Sequence, residues 1–200
     1  MKGYPVVYSA ALEIGHGLPL SDFSFPWKDC DCPGTEFKAV WNEERLLFSF
    51  EVCDYDLVLP PAADAGQGAL ASDRVELFFA SSPDLQESYY GAEMDPSGRV
   101  YDYAATFYRK IDPAWKFSSL QFEGEIVEEG YRLQGSFSMA ELQELNLLQG
   151  REIIAGVYRA EFSHGDEETV QDWISWVDPG TEKPDFHVPS SFGKFVLEGK

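Results

Sequence analysis

The sequence predicts an all-β protein: an antiparallel, jelly-roll-like β-sandwich of roughly ten strands with one short helix. Apolar residues recur with a period of two in most segments, which is typical of strands with one buried face. Clusters of Pro and Gly separate these segments at short intervals. The 200 residues are 44% hydrophobic and 15% aromatic, so residues 1–200 are expected to form one domain around a single core.

The strand pattern is clearest in 45–53, where Leu46, Phe48, Phe50 and Val52 share one face. The segment 73–80 alternates in the same way and is predicted to have one buried and one wetter face. A hairpin is predicted where a turn at 128–130 joins two strands. Strands are expected over 35–41, 45–53, 73–80, 88–94, 99–106, 120–127, 131–137, 153–162, 173–177 and 192–197.

One helix interrupts the strands. Ser138-Met139-Ala140-Glu141 has the pattern of a capping box, and an apolar stripe continues to Leu145 before Gly150. Pro- and Gly-rich loops are predicted over 56–71, 95–98 and 178–191, and these are the expected places for function. The acidic stretch 166–168 is interpreted as a solvated hairpin tip.

The charge excludes two classes of partner. Fifteen Lys and Arg face 35 Asp and Glu, a net charge of −20, which repels DNA, RNA and anionic membrane surfaces. No segment approaches the roughly 20 apolar residues of a membrane span. The first 17 residues do not resemble a secretory signal, and three Cys weakly favour a reducing compartment. The compartment stays open, with the cytoplasm as the default.

Enzyme motifs give little support for catalysis. The sequence has no nucleophile elbow, phosphate loop, zinc-protease motif or dinucleotide fingerprint, and His16, His164 and His187 lack ligand spacing. A sugar-active hydrolase remains the alternative, because two acidic side chains can act as acid and base or nucleophile. Its carboxylate pair would come from Glu76, Glu93, Asp95, Asp102 and Asp185.

Aromatic and polar residues concentrate near the late loops, as a sugar site requires. Trp173 and Trp176 lie three residues apart, so on a strand they face opposite sides. Asp185, Phe186 and His187 follow. A sugar ring presents apolar C–H faces and a rim of hydroxyls, which aromatic rings and charged side chains hold together. The predicted ligand is therefore a neutral mono- or oligosaccharide.

Acidic loops also make calcium a candidate structural ion, because Ca²⁺ takes six to eight oxygen ligands. No EF-hand register is present. No organic cofactor is expected. The candidate calcium ligands are Asp54, Asp56, Asp95, Asp102 and Asp178.

Taken in order, a set of landmarks resembles the family 9 carbohydrate-binding modules, most closely the stand-alone family 9-like branch of bacteria. The likeness covers nearly the whole chain. In the first half it is carried by Trp41, the stretches 45–50 and 72–79, Tyr89 to Met94, and Gly98-Arg99. In the second half it is carried by 129–131, 156–159, 173–179, 185–189 and Phe192-Gly193.

The resemblance implies a sandwich that binds sugars at a loop-built site, with calcium in some members. It places Glu76, Arg99 and the loop before Phe192 near the ligand, and Arg159 towards Trp173. Related modules are usually exported. The sequence departs from the family in two places: the loop 66–71 has no aromatic residue, and Phe186 stands where a Trp is expected. The wider superfamily includes haem-binding domains, in which Met94 and His187 would be axial ligands.

Overall fold

Strands make up 46% of the chain and helices 9%, which confirms the all-β class. The computed structural model describes residues 1–166 and 168–200, so Glu167 of the predicted hairpin tip lies outside the described residues. The strands are β1 (Gly3–Tyr8), β2 (Thr35–Trp41), β3 (Arg45–Cys53), β4 (Arg74–Ala80), β5 (Tyr89–Met94), β6 (Val100–Thr106), β7 (Lys110–Asp112), β8 (Gln121–Val127), β9 (Gly130–Ser138), β10 (Leu148–Gln149), β11 (Glu152–His164), β12 (Thr169–Ser175) and β13 (Gly193–Glu198). The helices are α1 (Ala65–Leu70) and α2 (Met139–Glu144), together with two 3-10 helices, Ile14–His16 and Pro189–Ser191.

All ten predicted strands are present, and three short ones were missed: β1, β7 and β10. The strands form one curled sheet in the order β7-β6-β5-β4-β11-β13-β1-β2-β3-β9-β8, with β10 and β12 paired to β11. The strand pairs are antiparallel, as predicted, except those of β1, which was not predicted to be a strand. β1 runs parallel to both β13 and β2, and the long connection from β1 to β2 allows the parallel pairing of these two strands.

The main core lies between the two halves of the curled sheet. Phe79 of β4 packs against Phe137 of β9 with ring centroids 5.2 Å apart, and Phe37 of β2 stacks on Phe195 of β13 at 5.5 Å. These side chains come from alternate positions of their strands, as the period of two requires. The alternating apolar residues of β3 are likewise all buried.

The outer face of β4 is not wet, contrary to the prediction. Every residue of β4 is buried, including Arg74, Glu76 and Phe78. Phe78 belongs to a second apolar cluster with Tyr158, Phe186 and other aromatic residues. The loop 178–191, called the late loop, folds over this cluster. The alternation of polar and apolar residues therefore marks a polar site under loops rather than a solvated surface.

The part of the chain that the structure describes contains two short α-helices, where the sequence predicted one. Ser138 caps α2 as predicted, accepting a hydrogen bond from the backbone of Ala140 at 3.2 Å. The missed helix, α1, lies in the predicted loop 56–71, where Asp64 caps it by accepting from Gln67 N at 2.8 Å. The sequence did not predict α1 because it contains Gly66 and Gly68, and glycine is unfavourable within a helix. At Gly68 a Cβ atom would lie 2.7 Å from Arg99 Nη1, so this residue lets the helix approach Arg99. None of the helices in the described residues is long and apolar enough to cross a bilayer.

Candidate functional site

A cleft of about 380 Å³ opens on the outer face of β4 and β5, within the usual size of small-molecule sites. β12, the late loop and the hairpin between β6 and β7 form its other walls. Its polar lining residues are Arg74, Glu76, Glu93, Arg109, Gln171, Asp185 and His187. Its apolar lining residues are Leu70, Tyr101, Ile111, Trp173, Pro184 and Phe186. The predicted site residues that the structure brings together here are Glu76, Trp173, Asp185, Phe186 and His187.

The floor of the cleft is a buried group of three charged side chains. Glu76 of β4 lies directly opposite Glu93 of β5 in the sheet. Arg74 joins them: its Nε donates to Glu93 Oε2 at 2.8 Å, and its Nη2 lies 2.9 Å from Glu76 Oε1. Side chains two apart on a strand share a face, which is why Arg74 and Glu76 both point into the cleft.

The two floor carboxyls come from paired residues of neighbouring strands, and both bind Arg74. Burial, and then the neighbouring Glu93, raise the pKa of Glu76 above its ordinary value. Burial also raises the pKa of Glu93. The raised pKa values favour the uncharged form of these carboxyls. The floor offers acceptors on the carboxyls and donors on the Arg74 guanidinium.

Trp173 forms the aromatic wall. It is half-buried, and the Arg74 guanidinium carbon lies 5.6 Å from its ring centroid, within cation–π range. Phe186 meets it edge to face at 5.4 Å and is itself stacked on Tyr158 at 4.1 Å. These contacts fix the tryptophan ring while leaving part of it open to the cleft.

The late loop supplies a neutral histidine and an acid at the rim. Asp185 Oδ1 accepts from the backbone N of His187 at 2.9 Å. His187 Nδ1 lies 2.9 Å from the hydroxyl oxygen of Tyr89. Burial, followed by the charge of Arg109, lowers the pKa of His187 to about 4, so the ring is neutral near pH 7.

The structure leaves Arg99 and Trp176 outside the cleft. Arg99 donates to Asp95 Oδ2 at 2.5 Å, Pro60 O at 2.7 Å and Ser72 Oγ at 2.8 Å, and so holds the loop around α1. Trp176 is only 2% exposed and packs in the main core, on the opposite side of the sheet from Trp173.

Arg159 does not point towards Trp173 either. It is completely buried at one end of the sandwich interior, where it pairs with Glu161 and lies 3.6 Å from Asp54 Oδ2. The guanidinium that lies over Trp173 belongs to Arg74. Arg159 therefore stabilises the interior, and Arg74 takes the place that the resemblance gave it.

Within residues 1–166 and 168–200, Asp54 is the one candidate metal ligand that lies in a group with ligand-like spacing. It is the triad of Asp54, Asp73 and Glu161, whose carboxylate oxygens lie within 4.8 Å of one another. The other four candidates have separate protein partners. Asp56 binds His164, Asp95 binds Arg99, Asp102 binds Lys116, and Asp178 accepts from Gly180 N.

The haem alternative was wrong in its geometry. Met94 is fully buried in the main core, whereas His187 packs on the outer face of the sheet against Phe78 and Tyr89. The sheet lies between them, so the two side chains cannot bind the two faces of one iron.

Sequence reasoning missed Arg74, Arg109 and Gln171 as cleft residues, and considered Glu93 only as a catalytic acid. For Arg74 a signal was available. An Arg and a Glu two residues apart on a strand project from the same face. The choice of Glu76 as a candidate site residue therefore also predicts Arg74. Arg109 and Gln171 lie at a hairpin tip and near the start of β12, whose placement the local pattern does not reveal.

Residues 20–200 match the sequence model of the family described as "Carbohydrate family 9 binding domain-like". No curated protein matches the chain.

Solved structures share its fold at low sequence identity. A "putative carbohydrate-binding protein" from Bacteroides uniformis ATCC 8492 superimposes with a TM-score of 0.74 and 19% identity, covering 98% of this chain and 99% of its own. A family 9 carbohydrate-binding module from Caldicellulosiruptor kristjanssonii in complex with glucose has a TM-score of 0.64 and 16% identity, covering 100% and 97%. Its complex with cellotriose gives 0.61 and 16%, covering 100% and 95%. Because the family model spans most of the sequence, the chain belongs to the carbohydrate family 9 binding domain-like family.

Proposed function

We propose that residues 1–200 act as one module that binds a neutral sugar in this cleft without changing it chemically. The observation that carries the proposal is the position of Trp173 beside the buried Arg74–Glu76–Glu93 floor. An aromatic face adjoining paired donors and acceptors matches the two chemistries of a sugar ring. The C–H face would pack on Trp173, and hydroxyls would exchange hydrogen bonds with the floor.

The charge of the cleft favours an uncharged sugar. Arg74 is paired with Glu76 and Glu93, and Arg109 lies beside Asp185, so each cation of the cleft has an acidic partner within it. Because these charges are already paired, a carboxylate or an ammonium group on the sugar adds no favourable partner. The net charge of −20 adds long-range repulsion of acidic polysaccharides.

The shared arginine of the floor carboxyls argues for binding rather than hydrolysis. Glycosidases place their two carboxyls about 5–9.5 Å apart, with the scissile bond between them. Glu76 and Glu93 are instead paired side by side in the sheet, and Arg74 binds both of them. Asp95 and Asp102 are engaged elsewhere by Arg99 and Lys116. The arrangement supports a hydroxyl-binding surface.

The experiment is a calorimetric titration of the protein with glucose, cellotriose, glucuronic acid and glucosamine. Glucose and cellotriose come first because they occupy the Caldicellulosiruptor module. We expect saturable binding of a neutral sugar, weak or absent binding of both charged ones, and no sugar product after prolonged incubation. A flat response to both neutral sugars in folded protein would refute the proposed function. Release of a shortened product would refute the non-catalytic proposal.

Calcium, which the family resemblance implies, can be tested at the acidic group with ligand-like spacing in the described residues: the triad of Asp54, Asp73 and Glu161. The side chains as they stand do not fit the ion. Both oxygens of Asp73 accept backbone N–H groups, from Phe162 and Val58, each at 2.6 Å. Arg159 lies against the free oxygens of Asp54 and Glu161 and supplies the positive charge. We infer that this arginine balances the triad without a metal ion.

A further inference from the structure

The hairpin between β6 and β7 exposes aromatic side chains that the fold does not use. Phe107 is 37% exposed and Tyr108 is 49% exposed, with their ring centroids 5.4 Å apart. The sequence contains 30 Phe, Tyr and Trp residues, and among those that the structure describes only these two and Tyr55 are exposed. An adjacent pair of exposed rings is therefore a local exception in a chain that covers its aromatic residues.

The same hairpin is continuous with the cleft. The hydroxyl of Tyr108 donates to Asp185 Oδ2 at 2.5 Å, and Asp185 lines the cleft. The next residue, Arg109, also lines it, with Nη1 3.9 Å from Asp185 Oδ1. Ile111 of β7 lines it as well. The hydroxyl bond thus anchors the exposed ring of Tyr108 at the rim.

We propose that Tyr108 forms a second sugar subsite, on which the ring next to the one held in the cleft packs. This inference rests on the proposed function, and it makes the preferred ligand a neutral oligosaccharide of at least two rings. The exposed face of the tyrosine receives the apolar C–H face of that sugar. The half-exposed guanidinium of Arg109 lies between the two subsites and donates to the hydroxyls there.

The two parts of the Tyr108 side chain make different predictions. If the ring is the binding surface, Tyr108→Phe keeps the subsite although it loses the bond to Asp185. If the hydroxyl acts only by holding Asp185, Tyr108→Phe and Tyr108→Ala have the same effect. Tyr55 provides the matched control because it is 81% exposed and does not line the cleft.

The test is calorimetric titration of the wild type, Tyr108→Ala, Tyr108→Phe and Tyr55→Ala with glucose and with cellotriose. We expect the wild type to bind cellotriose more tightly than glucose. In Tyr108→Ala the affinity for cellotriose should fall by up to about tenfold while that for glucose is unchanged. Tyr108→Phe and Tyr55→Ala should keep the wild-type preference.

Three results would overturn the subsite. One is an unchanged cellotriose affinity in Tyr108→Ala, another is an equal loss for glucose and cellotriose, and the third is the same loss in Tyr108→Phe as in Tyr108→Ala. Each of these leaves sugar binding in the cleft intact. A wild type that binds neither sugar would refute the subsite together with the proposed function, so the two failures are distinguishable.

Discussion

Two buried arginines on neighbouring strands carry the same local sequence, Arg-x-Glu, yet serve different regions of the molecule. Arg74-Val75-Glu76 lies on β4 and Arg159-Ala160-Glu161 on β11. In the sheet, Arg159 is paired with Val75 and Arg74 with Ala160. Paired residues share a face, so a shift of one residue puts Arg74 in the cleft and Arg159 in the interior. The Arg-x-Glu sequence alone does not tell whether its side chains lie in the cleft or in a structural ion cluster. The register of the strand pair determines which of the two it is.

The largest expected effect is on the stability of the fold, through the interior cluster, which consists of Arg159, Asp54, Asp73 and Glu161. Arg159→Met leaves Asp54 and Glu161 buried without their cation, so we expect the free energy of unfolding to fall by about 3–5 kcal/mol. Chemical denaturation measures it. The control is Arg132→Met, whose side chain is 58% exposed and whose loss should cost about 0.5 kcal/mol or less. Equal stability of the two variants would contradict the structural role of Arg159.

The second-largest expected effect is a loss of sugar affinity when the cleft arginine, Arg74, is replaced. Arg74→Met removes the donor that joins Glu76 to Glu93 and lies over Trp173, so neutral-sugar affinity should fall about 10- to 100-fold. Arg159→Met, measured at a temperature at which it is folded, should keep the wild-type affinity. Calorimetric titration compares them. A loss of affinity in Arg159→Met as large as in Arg74→Met would erase the distinction between the two clusters.

The interior cluster should also make stability depend on pH. Burial raises the pKa of Glu161 to about 8 and that of Asp73 to about 7, so the folded state holds protons that the unfolded state releases. Their contribution is complete below the unfolded pKa values near 4 and is lost as the pH rises towards 8. His187, whose pKa is lowered to about 4, acts in the opposite direction only below about pH 6.5.

Stability is therefore expected to fall between pH 6.5 and 8, where only the carboxyls act among these three groups. Melting temperatures across this range measure it, and Glu161→Gln should flatten the slope because its amide does not titrate. A melting temperature that rises over this interval would contradict the inferred protonation of the cluster.

The smallest expected effect concerns calcium. Because Arg159 already balances the triad, millimolar calcium or EDTA should leave the melting temperature of the wild type unchanged. A calcium-dependent rise in the melting temperature that Asp54→Asn abolishes would show that calcium binds the triad. That result would contradict the inference that Arg159 balances the triad without a metal ion.

Much of the fold could be predicted because its information is local. The alternation in β3 and β9 and the capping residue of α2 all appear in short windows of sequence. β1 could not be oriented in this way, since its parallel pairing depends on segments more than 25 residues away. α1 was hidden by its glycines, whose freedom is used for the approach to Arg99.

The candidate site was predictable where residues come from one loop. Asp185, Phe186 and His187 lie together in the cleft, as adjacent residues in a loop readily do. Arg99 was placed from the family pattern alone, and the structure gives its donors to Asp95, Pro60 and Ser72 instead. Trp176 and Arg159 are buried on the interior face of the sheet, away from the cleft. The sheet register decides which face a side chain lies on, and the register cannot be read from local composition.

We propose that the part of Trp173 that lines the cleft holds a sugar ring, and intrinsic fluorescence of two variants tests this directly. Trp173→Ala removes the cleft tryptophan, and Trp115→Ala removes a half-buried tryptophan that does not line the cleft. In a titration with cellotriose, we expect a saturable change in the wild type and in Trp115→Ala, and none in Trp173→Ala. Saturable binding by folded Trp173→Ala with wild-type affinity would contradict the account.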